Sequence, residues 1–128
     1  MTTVIQTISR KLSSLFFREE YLDTGFSDER YTDPNYLKHL IDTKEIDYCL
    51  VDSRDIEDYQ AGHIESAKSV PYYSIEGNLP SENLFTIIIV YGYTKRSSLK
   101  AAEVLHEMGY FNVVAFGSYS KWVEYFGS

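Results

Sequence analysis

Apolar and polar residues come in blocks along this chain, and the period within a block changes from one element to the next. Phe85-Thr86-Ile87-Ile88-Ile89-Val90-Tyr91 is a continuous β-branched run without polar alternation, the pattern of a strand covered on both faces in a parallel sheet. Gly92 to Ser97 is a short polar connection, after which Leu99, Ala102, Leu105 and Met108 recur at helical spacing over Ser98 to Met108, closed by Gly109. Strand, tight loop and helix are the prediction for this stretch. Tyr48-Cys49-Leu50-Val51 predicts another buried strand, and Asn112-Val113-Val114-Ala115-Phe116 a further one. Asp33-Pro34 opens a helix, with Asp at the N-cap, Pro at the first helical position, and Tyr36, Leu37, Leu40 and Ile41 as the buried stripe. Asp55 stands where it would cap a short helix whose apolar residues are Ile56 and Tyr59 and whose stop is Gly62. Alternating strands and helices predict an α/β domain, with a mostly parallel sheet between helices on both faces and ligands bound beyond the carboxyl ends of strands.

The first residues break from this pattern. Val4, Ile5, Ile8, Leu12, Leu15 and Phe16 fall on one helical face, and Met1 to Arg18 holds Arg10, Lys11 and Arg18 but no acid. The spacing predicts an N-terminal amphipathic helix. Packing on the domain, contact with a membrane surface or partner, and service as an organelle-targeting segment are its three possible uses. Tyr21 to Glu29 reads as a linker, so the chain divides into 1–27, helix and linker, and 28–128, the domain proper. No apolar run approaches the ~20 residues of a membrane span, so no transmembrane segment is expected.

Length and composition narrow the function. A chain of 128 residues supports one domain with a core of its own. A formal net charge of -7 argues against nucleic acid as a partner. The single cysteine, Cys49, excludes an internal disulfide and fits a reducing, cytoplasmic setting, with an organelle as the alternative if 1–18 is a targeting segment. Cys49 lies inside an apolar run and is expected to be buried filler. His39, His63 and His106 have no paired spacing, so no metal site is expected, and nothing calls for a cofactor.

Candidate chemistry gathers at Gly92-Tyr93-Thr94-Lys95-Arg96-Ser97-Ser98. A strand-to-helix loop aims backbone N–H groups and the positive end of the helix at one point, a ready site for an anion. Between Glu82 and Glu103 there is no acid, while Lys95, Arg96 and Lys100 all fall in that gap. The competing view is a solvated helix start.

Gly62-His63-Ile64, Ala67, Pro71 and a preceding Asp52-Ser53-Arg54 at a strand end, followed by Ala101-Ala102, the passage Gly109 to Val114, and Gly117 five residues before Trp122, resemble the rhodanese-like family over about residues 28–127. The resemblance implies a three-layer fold with a central, mostly parallel sheet of about five strands. It also implies that the 92–98 loop is the family's six-residue cradle, with Arg54 in support. His63 looks like a buried histidine hydrogen-bonded to backbone.

Members with thiosulfate- or persulfide-transferring activity carry a Cys at the first loop position, because a thiolate stores the sulfur. Here that position falls on Gly92, and the Arg usual near the loop's end falls on Ser97, with Lys95 and Arg96 beside it. The loop hydroxyls of Tyr93, Thr94, Ser97 and Ser98 have no neighbouring base. Two functions follow as expectations. One is a catalytically inactive rhodanese-like domain acting as a binding or regulatory module, its loop holding a small oxyanion such as thiosulfate, sulfate or phosphate. The other is a sulfurtransferase-class protein working with a protein partner's thiol.

Overall fold

Asp33 and Pro34 start the first helix as the sequence predicts. The computed structural model describes residues 29–128, and in it the Asp33 carboxylate accepts the Asn35 N–H at 2.9 Å. Helix α1, Pro34–Thr43, buries Pro34, Leu37, Leu40 and Ile41, leaving Tyr36 half-buried at the edge of that stripe. It ends on Lys44, whose φ of 53° and ψ of 37° put a residue with a Cβ in the left-handed region. Strand β1 is Tyr48–Asp52, and helix α2, Ile56–Ala61, follows it after a short turn. Asp55 has the extended N-cap conformation but makes no side-chain capping bond, and Ile56 is exposed. A two-residue strand β2, Lys68–Ser69, comes next, then a 3-10 segment over Tyr72–Gly77.

Strand β3, Ile87–Gly92, begins two residues later than the apolar run and leaves Phe85 exposed. Helix α3, Lys95–Glu107, starts three residues earlier than predicted, so the loop proper is only Tyr93 and Thr94. Gly109 follows α3 with a φ of +108°, the left-handed region that favours the glycine expected to close this helix. Strand β4, Asn112–Ser118, then runs straight into helix α4, Tyr119–Phe126.

The strands form one parallel sheet in the order β2-β1-β3-β4. Successive side chains alternate between its faces and so build two cores. Leu50, Ile89, Tyr91, Val114 and Phe116 meet Leu37, Leu40 and Ile41 of α1 and Trp122 of α4 on one side. Cys49, Val51, Ile88, Val90 and Val113 meet Ala101, Ala102 and Leu105 of α3 on the other. The paired alanines let α3 lie close to the sheet. Residues buried on both faces explain why the strands read as unbroken apolar runs.

Two expectations need correction. Among the described residues the sheet has four strands rather than five. Glu29–Thr32 forms a 3-10 turn that packs against β4 and buries Tyr31 in the core on the α1 side of the sheet. His63 is exposed rather than buried; its ring stacks on Tyr59 at 3.8 Å and its Nδ1–H donates to the Tyr59 carbonyl at 2.8 Å, so the expected backbone bond is present at the surface. The amphipathic stretch 1–18 and most of the linker lie outside the described residues. Among the described residues no helix is long and apolar enough to cross a membrane.

Lys44→Gly is expected to stabilise the domain. Relief of the left-handed Cβ penalty, about 1–2 kcal/mol, outweighs the entropy that glycine adds to the unfolded chain, about 0.4–1 kcal/mol. Urea unfolding should show a higher midpoint at unchanged slope.

Candidate functional site

A buried polar network locks together the carboxyl ends of β1 and β3. Asp52 ends β1 fully buried, and Arg54, 6% exposed, folds back onto it with Nη2 2.8 Å from Oδ2 and Nε 3.1 Å from Oδ1. The same Nη2 donates to the Gly62 carbonyl at 2.6 Å, and the guanidinium lies 4.1 Å from the centre of the Tyr119 ring. Tyr91, also fully buried, donates its hydroxyl to Asp52 Oδ2 at 2.7 Å and accepts the Ile64 N–H at 3.0 Å.

Burial opposes the Arg54 charge, but the hydrogen bonds and charge of Asp52 outweigh it and hold that group above its ordinary pKa. Burial first, and then the Asp52 charge, push the Tyr91 phenol well up, so it stays a donor. Ser53 closes the junction, giving both its N–H, at 3.0 Å, and its hydroxyl, at 2.9 Å, to the Tyr91 carbonyl.

Beyond this lock the chain forms the loop. Gly92 is buried as the last residue of β3, and Thr94 is the N-cap of α3. Thr94 Oγ1 accepts the Ser97 N–H at 3.0 Å, and Ser97 Oγ accepts the Thr94 N–H at 2.9 Å while donating to the Thr94 carbonyl at 3.0 Å. This is a capping box with Ser in place of the usual Glu, and it satisfies two amides that a bound anion would otherwise use. The Lys95 and Arg96 amides, in the first turn, have no carbonyl to reach within the helix.

Tyr93 leans away from the loop, accepting the Asp55 N–H at 3.1 Å and donating to the Asp58 carboxylate. That donation is the chief reason its phenol is pushed up to about 12. Ser98 is turned inward, its hydroxyl on the Lys95 carbonyl at 2.9 Å.

A cavity of about 220 Å³ opens beside the loop, lined by Ser53, Asp55, Tyr72, Tyr73, Tyr93, Ser97 and Lys100. The predicted loop residues therefore divide. Tyr93 and Ser97 line the cavity; Thr94, Lys95 and Arg96 are exposed outside its lining; Gly92 and Ser98 are buried; and Arg54 directs Nε and Nη2 at protein acceptors. Lys95, Arg96 and Lys100 form no ion pair among the described residues.

Tyr72 and Tyr73 were absent from the predicted set. They arrive through the 3-10 segment after Pro71, and no local spacing announces it. Ser53 and Asp55 belonged to the strand-end passage already singled out, and Lys100 to the basic stretch. Cys49 is buried mid-strand, its thiol on the Pro80 carbonyl at 3.4 Å, and burial raises its pKa. Among the described residues no group of His, Cys, Asp and Glu is arranged to hold a metal.

A parallel sheet flanked by helices, with an Asp-x-Arg lock at one strand end and a tight loop entering a helix at the next, defines a class of small α/β domains that place their site over the sheet's carboxyl edge. The family profile of the rhodanese-like domain matches residues 33–125, and the chain belongs to that family. The Alr3790 protein from Anabaena sp. is similar at 26% identity and TM-score 0.68, over 75% of this chain and 78% of that one. A rhodanese-like domain protein from Staphylococcus aureus is 28% identical with TM-score 0.60, over 70% and 86% of the two chains. The human single-domain sulfurtransferase TSTD1 shares the fold at 22% identity and TM-score 0.59, over 70% and 91%. No curated protein matches the chain by sequence.

The network yields two predictions. Asp52→Asn leaves the Arg54 charge buried without its counter-ion and should cost about 3–5 kcal/mol in chemical denaturation. Arg54→Met alone should be comparably harmful, and the double variant should lose less than the sum of the two. The Tyr93 phenol is raised in the folded state, so the stability from its bond to Asp58 is complete below about pH 10 and lost as pH rises through about 12. NMR titration of ring-labelled tyrosine should find Tyr93 ionising late, and Asp58→Ala should return it toward its ordinary value.

Proposed function

We propose that this protein is a rhodanese-like domain without sulfurtransferase activity, retained as a binding or regulatory module whose Gly92 to Ser98 loop holds a small oxyanion. One observation carries the proposal. At Gly92, where the family's resemblance calls for the thiolate, a Cβ would lie 2.6 Å from Ser97 Oγ and 3.0 Å from Ser53 Oγ. Two hydroxyls of the protein crowd the position that a Cβ at Gly92 would take, which supports this reading.

Cys49 offers no substitute. It pairs with Ile88, four residues before Gly92, which at strand rise is a separation of about 13 Å, and a buried thiol with a raised pKa is a poor nucleophile. The loop hydroxyls cannot store sulfur, and those of Thr94, Ser97 and Ser98 are engaged in helix capping or on the helix backbone. Lys95 and Arg96, without an ion-pair partner among the described residues, and their first-turn amides support the anion part of the proposal.

Neither the wild type nor Cys49→Ser should release thiocyanate from thiosulfate and cyanide, and turnover that survives loss of Cys49 would end the proposal. Gly92→Cys treated with thiosulfate should show a persulfide by mass spectrometry where the wild type shows none. The same substitution should cost about 1–3 kcal/mol, because the new Cβ overpacks Ser97. Adding Ser97→Ala removes the obstructing oxygen, so a double-mutant cycle should show favourable coupling between the two positions.

A further inference from the structure

The cavity beside the loop has tyrosine walls, a feature that an inorganic oxyanion does not use. Tyr72, Tyr73 and Tyr93 are 47%, 72% and 47% exposed around it. The Tyr93 ring is tethered through its hydroxyl to Asp58 and the Asp55 N–H, and the Tyr72 backbone is fixed by its N–H on the Ser53 carbonyl at 2.9 Å. We infer that the cavity takes a small organic anion with a flat apolar body, the body against the tyrosines and the anionic group toward Lys100 and the first turn of α3.

The volume of about 220 Å³ equals on the order of seven waters at liquid density, room for one substituted ring but less than drug-sized ligands need. Aromatic faces bind a flat apolar partner better than a hydrated ion. Charge sets the sign. Lys100 lines the cavity, while Lys95 and Arg96 lie outside its lining at the start of α3, all three without an ion-pair partner among the described residues. Asp55 is the one carboxylate in the lining, and it opposes the anion. This inference rests on the anion-binding loop proposed above and adds the chemistry of the ligand's body.

Amide NMR titrations of the whole chain with sulfate and with benzenesulfonate test it. Benzenesulfonate should bind at least about tenfold more tightly than sulfate, as expected for ring contacts with two or more tyrosines. Tyr73→Ala should erase most of that preference while leaving sulfate unaffected. Lys100→Gln should weaken benzenesulfonate, and Asp55→Asn should tighten it.

Sulfate that moves the loop amides while benzenesulfonate gains nothing over it would overturn this inference and leave the loop intact. Amides unmoved by either anion would overturn the anion-binding loop, and this inference with it. A benzenesulfonate preference undiminished by Tyr73→Ala would place the ring elsewhere and overturn the tyrosine wall.

Discussion

The buried pair of Asp52 and Arg54 is the constraint around which the functional edge of this domain is built. Taking two charges out of water costs several kcal/mol each, and the geometry here recovers that cost through contacts that are also topological ties. The carboxylate holds Arg54 from its own strand end and Tyr91 from the neighbouring strand, while Arg54 holds the Gly62 carbonyl and Tyr91 holds the Ile64 N–H. Three chain segments, the end of β1, the end of β3 and residues 62–64, thus converge on one buried charge. Because Asp52 pairs with Tyr91 in the parallel register, the lock also fixes where β3 ends and where the loop to α3 begins.

The loop built on that lock shows how one helix start can serve two purposes. A helix N-terminus has amides to satisfy, and either a ligand or the protein's own side chains can do so. Here Thr94 and Ser97 satisfy two of them reciprocally. Gly92 makes this possible, because its missing Cβ leaves the space that Ser97 Oγ and the Ser53 hydroxyl approach. Glycine at the strand end and serine in the first turn are thus two parts of one packing solution, and a side chain at the first position displaces the cap at the second.

The other end of the edge is shaped by a bulge. Register passes from Val90 opposite Ala115 to Tyr91 opposite Gly117, so β4 holds one extra residue there. Gly117, at a φ of +122°, has the conformation such an irregularity requires. Val114 and Phe116, two residues apart, share one core by ordinary strand alternation, and beyond the bulge Ser118 caps α4, its hydroxyl accepting the Lys121 N–H at 3.1 Å. Trp122 and Tyr119 are thereby delivered to the core and to the face of Arg54, respectively.

Sequence alone determined the alternation of strands and helices, the Asp33 cap, the burial of Cys49 and the place of the loop. Each of these depends on the period of apolar residues or on capping chemistry within a few positions. It also located the loop's cations. Only the tertiary structure decided that Arg54 faces inward, that Ser97 closes a cap over Gly92, that Tyr72 and Tyr73 line one cavity with Tyr93, and that Glu29–Thr32 forms a turn against β4. Those outcomes depend on which distant segments meet at a sheet edge, and the packing of residues far apart in the chain is not written in local spacing.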